Sequence, residues 1–327
     1  MKRTLGLTLL LFATLFSCMR QEKPLPAELS RAESVMWEHP DSALSILRSM
    51  PQSSLSIGKN YATWALLLAQ ARDKVYGKRL PDSLNIPSSD KLVQDAMDYF
   101  EKEGDLKRMA QTYYYKGQLL KDQKKITEAM PFFLKSKEMM TKLDEPLFTY
   151  LICQSLGNMY RYQDLYEESL VQLKDAYQYA LRSGNGERIS YALSELGRTY
   201  VHKNEMDSAL FYFGKSLDNA QRLGNIELEA MAMGELGVVY NKLSQGEKAL
   251  HYTRKELDLC LQISSLHKLP QVYYKIGSAF WSLGQLDSAK VYFQKSLETD
   301  NLYTLNEAYE VLYYICVEQK LYKEAIE

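Results

Sequence analysis

A chain of 327 residues accommodates two or three compact domains or one long array of repeats. Hydrophobic residues make up 46% and charged residues 25%, the balance of an ordinary folded protein. Lys and Arg number 40 against 41 Asp and Glu, which excludes the basic surplus of a nucleic-acid-binding domain, and only 9 prolines and 16 glycines favour long uninterrupted helices.

The chain opens with Lys2 and Arg3, followed by an apolar stretch from Leu5 to Phe16 that ends at Ser17-Cys18. A basic start, an apolar core of that length and a small residue before a cut are the parts of a secretory signal peptide. The stretch is shorter than the ~20 residues a membrane-spanning helix needs. Leu15-Phe16-Ser17-Cys18 resembles the lipobox of bacterial lipoproteins, with Phe16 bulkier than the usual residue at its place. The resemblance implies a signal peptide over 1–18, a diacylglyceryl group on Cys18 and a short tether over 19–25. It also implies a folded part exported to the bacterial cell envelope, facing the periplasm or the cell surface. A plain signal peptide, with Cys18 incidental, is the alternative reading. Cys153, Cys260 and Cys316 are widely spaced and odd in number, so they read as small buried hydrophobes and not as a disulfide framework. No later apolar run is long enough to cross a membrane.

Residues 26–104 read as degenerate helical repeats. Asp41-Ser42-Ala43 recurs at 207–209 and 287–289, so 41–50 reads as the second helix of a first repeat, with each Asp as a helix N-cap. Tyr61–Ala71 is apolar on most sides, as a buried helix would be. A loop with Pro81 and Pro87 follows over Gly77–Ser89, and another helix begins near Asp90.

From residue 105 a period takes over. Gly117, Gly157, Gly197, Gly237 and Gly277 stand at intervals of 40, embedded from the second onward in LGNMY, LGRTY, LGVVY and IGSAF. Twelve residues after each glycine come Ala129, Ser169, Ala209, Ala249 and Ala289, and four further on Phe133, Leu173, Phe213, Thr253 and Phe293. Gly104, Asp144, Gly184, Gly224 and Ser264 keep the same interval and suit helix ends in the left-handed conformation. Small residues allow two helices to cross closely, and the apolar residues spaced three or four apart mark the face each helix buries. The pattern L-G-x-x-Y then A-x-x-x-F resembles the tetratricopeptide-repeat (TPR) family, whose usual unit is ~34 residues. The resemblance implies an all-α fold, a TPR α-solenoid in which antiparallel helix pairs wind into a right-handed superhelix. Five units occupy 105–304. Residues 305–327 read as an incomplete last repeat, with Ala325 matching the second helix two residues before Glu327, which reads as a longer natural chain.

Motifs for chemistry are weak. Gly214-Lys215-Ser216 imitates the end of a P-loop, but Ala209 occupies the place of its first glycine and the segment is helical. His39, His202, His251 and His267 do not pair at metal-ligand spacing, and no Gly-x-Ser-x-Gly elbow occurs. No enzyme activity, cofactor or metal is therefore expected.

In TPR proteins the first helix of each unit lines a concave groove. The matching positions here are Tyr114, Gln118 and Lys121; Gln154, Asn158, Arg161 and Tyr162; Tyr191, Arg198 and His202; Asn241 and Lys242; Tyr274 and Trp281. Cations outnumber acids in that set, with Asp122 the only acid nearby, which suits a partner segment carrying acidic groups. A groove filled by packing tyrosines is the alternative. The expected partners are a protein or peptide ligand and, through the lipid, a membrane, with no nucleic acid. The expected role is a binding scaffold, as in exported TPR regions of membrane-anchored bacterial regulators; an envelope assembly or adaptor lipoprotein is the alternative.

Overall fold

A computed structural model describes residues 25–51, 55, 58–76 and 89–318. The signal peptide with Cys18, the interior of the Gly77–Ser89 loop and the last-repeat residues Ala325 and Glu327 lie outside the described residues. The described residues form fifteen α-helices and a single 3-10 turn, with no strand among them. They divide into two compact units, Met1–Lys125 and Ile126–Glu327, so the division falls inside the first of the five expected repeats.

The first unit holds α1 (Ala27–Val35), α2 (Pro40–Ser49), α3 (Lys59–Tyr76), α4 (Ser89–Glu103) and α5 (Leu106–Asp122). Pro40 opens α2, where its fixed φ suits the first turn and its missing N–H costs nothing. The apolar helix expected around 61–71 is α3, buried along Ala62, Ala65, Leu66 and Leu68. It is tied to α2 by Trp64, whose Nε1 donates to the Leu47 carbonyl at 2.9 Å.

The second unit begins with α6 (Ile126–Lys142) and continues in pairs: α7 (Pro146–Tyr162) with α8 (Tyr166–Ser183), α9 (Gly186–His202) with α10 (Met206–Leu223), α11 (Ile226–Lys242) with α12 (Gly246–Gln262), and α13 (Leu269–Ser282) with α14 (Leu286–Ser296). Leu302–Glu318 forms α15. Contacts in the α9–α10 pair run from Gly186 against Leu223 through Asn219 with Ser190 to Gly197 against Phe213. Numbers that rise along one helix while they fall along the other mark an antiparallel pair.

The periodic glycines sit at these crossings. A Cβ on Gly157 would lie 2.6 Å from the Leu173 side chain, one on Gly197 2.6 Å from the Phe213 ring, and one on Gly237 2.6 Å from Thr253 Cγ2. Ala209, Ala249, Ala289, Phe213 and Phe293 are fully buried beneath them. A further contact repeats with the period: Tyr200 stacks on Tyr212, Tyr240 on Tyr252 and Phe280 on Tyr292, with centroids 5.3, 5.2 and 5.4 Å apart. Each stack adds roughly 0.5–1.5 kcal/mol to the area its rings bury.

Helix ends follow the sequence in part. Gly104, Asp144, Gly184, Gly224 and Ser264 all have positive φ, between 54° and 75°, as their interval implied. The expected Asp N-caps are corrected: α2, α10 and α14 are preceded by His39, Glu205 and Gln285, none of which makes a side-chain capping bond. Asp41, Asp207 and Asp287 instead lie in the first turn, where a negative charge still favours the helix dipole. Capping side chains occur on first helices, where Asp105, Asn185 and Asn225 accept from the N–H groups of Arg108, Arg188 and Leu228.

Cys153 and Cys260 are buried and free, as their spacing implied. Burial pushes the Cys153 thiol up to about 11 although Lys137 stands beside it. The thiolate is the reactive form, so neither cysteine should react with a thiol-specific disulfide reagent in the native fold, and both should react after denaturation. Rapid labelling of either in the native protein, followed by peptide mapping, would contradict this packing.

Candidate functional site

In the second unit the first helices of successive pairs, α7, α9, α11 and α13, touch one another, whereas the second helices do not come as close. That wedge places the first helices on the inner side of the unit's curve. Each carries polar residues between its two packing faces, so the inner face is a strip built from α7 through α13.

An ion-pair ladder occupies the middle of the strip. Arg161 on α7 donates from Nη1 to Glu195 Oε2 at 2.7 Å and to the Glu195 carbonyl at 3.3 Å. Glu195 Oε1 accepts from Arg198 Nη1 at 2.6 Å. Arg198 reaches on to Glu235 of α11, with Nε at 2.8 Å and Nη2 at 2.6 Å from Oε1. Further along, Lys275 of α13 donates to Glu256 Oε1 at 2.7 Å, and Lys268 pairs with Glu227 at 2.5 Å. Burial works against the charge on Arg198, but Glu235 and Glu195 outweigh it and hold the guanidinium well above its ordinary range.

This ladder corrects the expected surplus of cations. Glu195, Glu235 and Glu256 stand among the basic residues, and Arg161, with its side chain 8% exposed, is consumed by Glu195. Arg161 therefore joins α7 to α9 and does not present a free guanidinium. Tyr114, expected in the groove, is buried in the first unit against Tyr115, and Gln118 there accepts from Lys121. Tyr274 packs edge-on to Phe293, 5.4 Å away, at the margin of the core.

Other expected residues are open to solvent. Tyr162 is 79% exposed, Tyr191 40% and Trp281 39%. His202 and Lys242 are exposed as well, and the partial desolvation of the imidazole together with Arg161 and Lys242 lowers its proton affinity. Asn158 and Asn241 each hold a buried side-chain carbonyl oxygen with no hydrogen-bond partner, an acceptor suited to a peptide N–H. Gln154 on α7 is half-buried.

A cleft of about 230 Å3 opens between α9, α11, α12 and α13. Its polar lining includes Tyr191, Arg198, Glu235, Glu256, Lys268 and Lys275. Four of these acids and bases, Glu235, Glu256, Lys268 and Lys275, were missed from sequence, although Glu235 and the ladder's Glu195 keep the 40-residue interval immediately before Leu-Gly. Glu256 carries its own signal, since its equivalents in the other units are Ser136, Ala176, Ser216 and Ser296. Among the described residues no cluster of His, Cys, Asp and Glu could hold a metal ion, and no helix is long and apolar enough to cross a membrane.

Residues 110–139 and 270–301 match the tetratricopeptide-repeat family model. The fold is a TPR α-solenoid. No curated protein matches the chain in sequence. Solved structures resemble it in fold. A STAND-class signal transduction ATPase with a TPR sensor, from Pyrococcus horikoshii, superposes with a TM-score of 0.70 at 15% identity, over 91% of this chain and 44% of that one. The solenoid thus spans less than half the length of that ATPase. The apo form of RapI gives 0.71 at 15% identity, over 91% and 84% of the two chains. NprR, in complex with its cognate peptide NprX, gives 0.62 at 14% identity over the same shares.

Proposed function

We propose that this solenoid is a non-enzymatic scaffold that binds a protein or peptide segment along the inner strip of its second unit. The observation that carries the reading is the strip itself, where exposed Tyr162, Tyr191 and Trp281 alternate with the unpartnered carbonyls of Asn158 and Asn241. Aromatic rings and spare amide acceptors are what an extended backbone needs for burial and hydrogen bonding. A TPR sensor and a peptide complex among the fold neighbours support a sensor or interaction region of a regulator over a purely structural adaptor. Combined Tyr162→Ala, Lys242→Ala and Trp281→Ala substitution should abolish co-purification of a polypeptide partner while far-UV circular dichroism stays unchanged. Undiminished capture would move the interaction to the outer face.

Export and lipid anchoring complete the proposal, on the strength of the lipobox-like Leu15–Cys18. Cys18→Ser should shift the protein from the membrane fraction to the soluble one. An exported wild-type protein that is soluble and carries no acyl group by mass spectrometry would refute the anchor.

A further inference from the structure

One unit carries an acid on its second helix where the other four carry Ser or Ala. The unit over 185–224 joins its two helices with Ser194 and Ser216, whose hydroxyls lie 3.0 Å apart in a buried hydrogen bond. Forty residues on, the same two places hold Gly234 and Glu256. A Cβ on Gly234 would collide with the Glu256 carboxylate, so the glycine is what lets that acid reach across α11. Glu256, on α12, is 6% exposed and lines the cleft between α9, α11, α12 and α13. Its Oε1 accepts from Lys275, while its buried Oε2 has no hydrogen-bond partner. A buried carboxylate oxygen without a donor is costly and rare in a settled core.

The surroundings define the missing donor. Glu235 faces Glu256 closely enough to disfavour its ionisation, and it spends only Oε1 on Arg198. Both carboxylates line the cleft, and each has one oxygen outside these ion pairs. The cations of the cleft are already engaged: Arg198 by Glu195 and Glu235, Lys268 by Glu227, Lys275 by Glu256. Burial pushes the Glu256 carboxyl up, with Lys275 and Lys268 opposing and Glu235 reinforcing, so a positive guest would relieve both the desolvation and the repulsion. The cleft, at about 230 Å3, has room for one long side chain.

We infer that this cleft takes the guanidinium or ammonium group of an Arg or Lys side chain from the bound segment, held between Glu256 and Glu235 beside the Tyr191 ring. The inference rests on the peptide-binding reading above and reverses the acidic partner expected from sequence. A planar guanidinium donates through parallel N–H groups and suits two facing carboxylates, while the ring offers it a cation–π face.

The test titrates fluorescein-labelled hexapeptide pools, one position fixed as Arg, Lys, norleucine or Glu, into the full chain with anisotropy as readout. Arg and Lys pools should bind about tenfold tighter than norleucine pools, the size of one charge-assisted hydrogen bond. Glu256→Gln, of the same shape, should bring all four to near parity, and Gly234→Ala, which displaces the carboxylate, should do the same with circular dichroism unchanged. Pools that bind without a basic preference, or that keep it in Glu256→Gln, overturn the inference and leave peptide binding standing. Binding by no pool overturns both. Competition by N-acetylarginine amide as strong as that of the Arg pools would assign the cleft to a free small guanidinium compound and refute the peptide source.

Discussion

Alanine in place of Glu195 should destabilise the second unit by about 3–5 kcal/mol, the cost of removing one partner from a buried ion pair. Each carboxylate oxygen of Glu195 holds a different guanidinium, Arg161 at 2.7 Å and Arg198 at 2.6 Å. Arg198 keeps Glu235 when Glu195 is lost, but Arg161 is left buried with only the residue 195 carbonyl at 3.3 Å and the Thr199 hydroxyl at 3.5 Å. Those neutral acceptors do not replace a counter-ion. Urea unfolding followed by circular dichroism measures the loss, and Glu235→Ala is the control. That substitution leaves Arg198, about one-third exposed, with Glu195 still bound, so its cost should be smaller. Equal midpoints for Glu195→Ala and wild type would show that the ladder is solvated and contributes little. The same geometry warns against charge reversal as a probe of binding. Glu at 161 and 198 would face Glu195 and Glu235, so lost capture in such a variant would report damaged packing.

Phe213→Ala should cost a comparable amount, about 3–5 kcal/mol, because a fully buried ring is deleted from the crossing of α9 and α10. The reciprocal change, Gly197→Leu, drives a side chain into a ring that already lies 2.6 Å from where its Cβ would stand, and should cost about 1–3 kcal/mol by overpacking. The two changes act on one space, so the double variant should be more stable than the sum of the single losses implies. Damage should extend to the adjoining helix pairs, since each repeat is held mainly by its neighbours. Strict additivity in the cycle would mean that Gly197 and Phe213 do not share a contact, and the register of the pair would be wrong.

The sequence by itself determined the repeat and its register, because close packing leaves a mark in residue size. Gly157, Gly197 and Gly237 must be small where helices cross, and Ala209, Ala249 and Ala289 must be small beneath them, so their positions appear as a period. The left-handed helix ends at Gly104, Gly184 and Gly224 were legible for the same reason, a backbone conformation that favours glycine. A second left-handed series, Lys124, Asp164, Asn204, Ser244 and Gly284, closes the first helices at the same interval. It escaped notice because four of its five members are not glycine, and exposed polar side chains tolerate that conformation without a shared identity.

Only the tertiary structure decided how the inner strip is charged. Sequence reasoning put Arg161 and Arg198 at inner helix positions as free cations, but a side chain's freedom depends on what the next repeat sets against it. Glu195 and Glu235 come from neighbouring first helices, 34 and 37 residues away in the chain, and they neutralise those cations. Burial of Arg161 and exposure of Tyr162, adjacent in sequence, likewise follow from which side of α7 meets α9. Glu256 shows the limit most sharply. In sequence it stands out only as an acid where the other units carry Ser or Ala. Gly234 on the facing helix turns it into a buried carboxylate in a cleft, because the missing side chain leaves the space through which that acid passes.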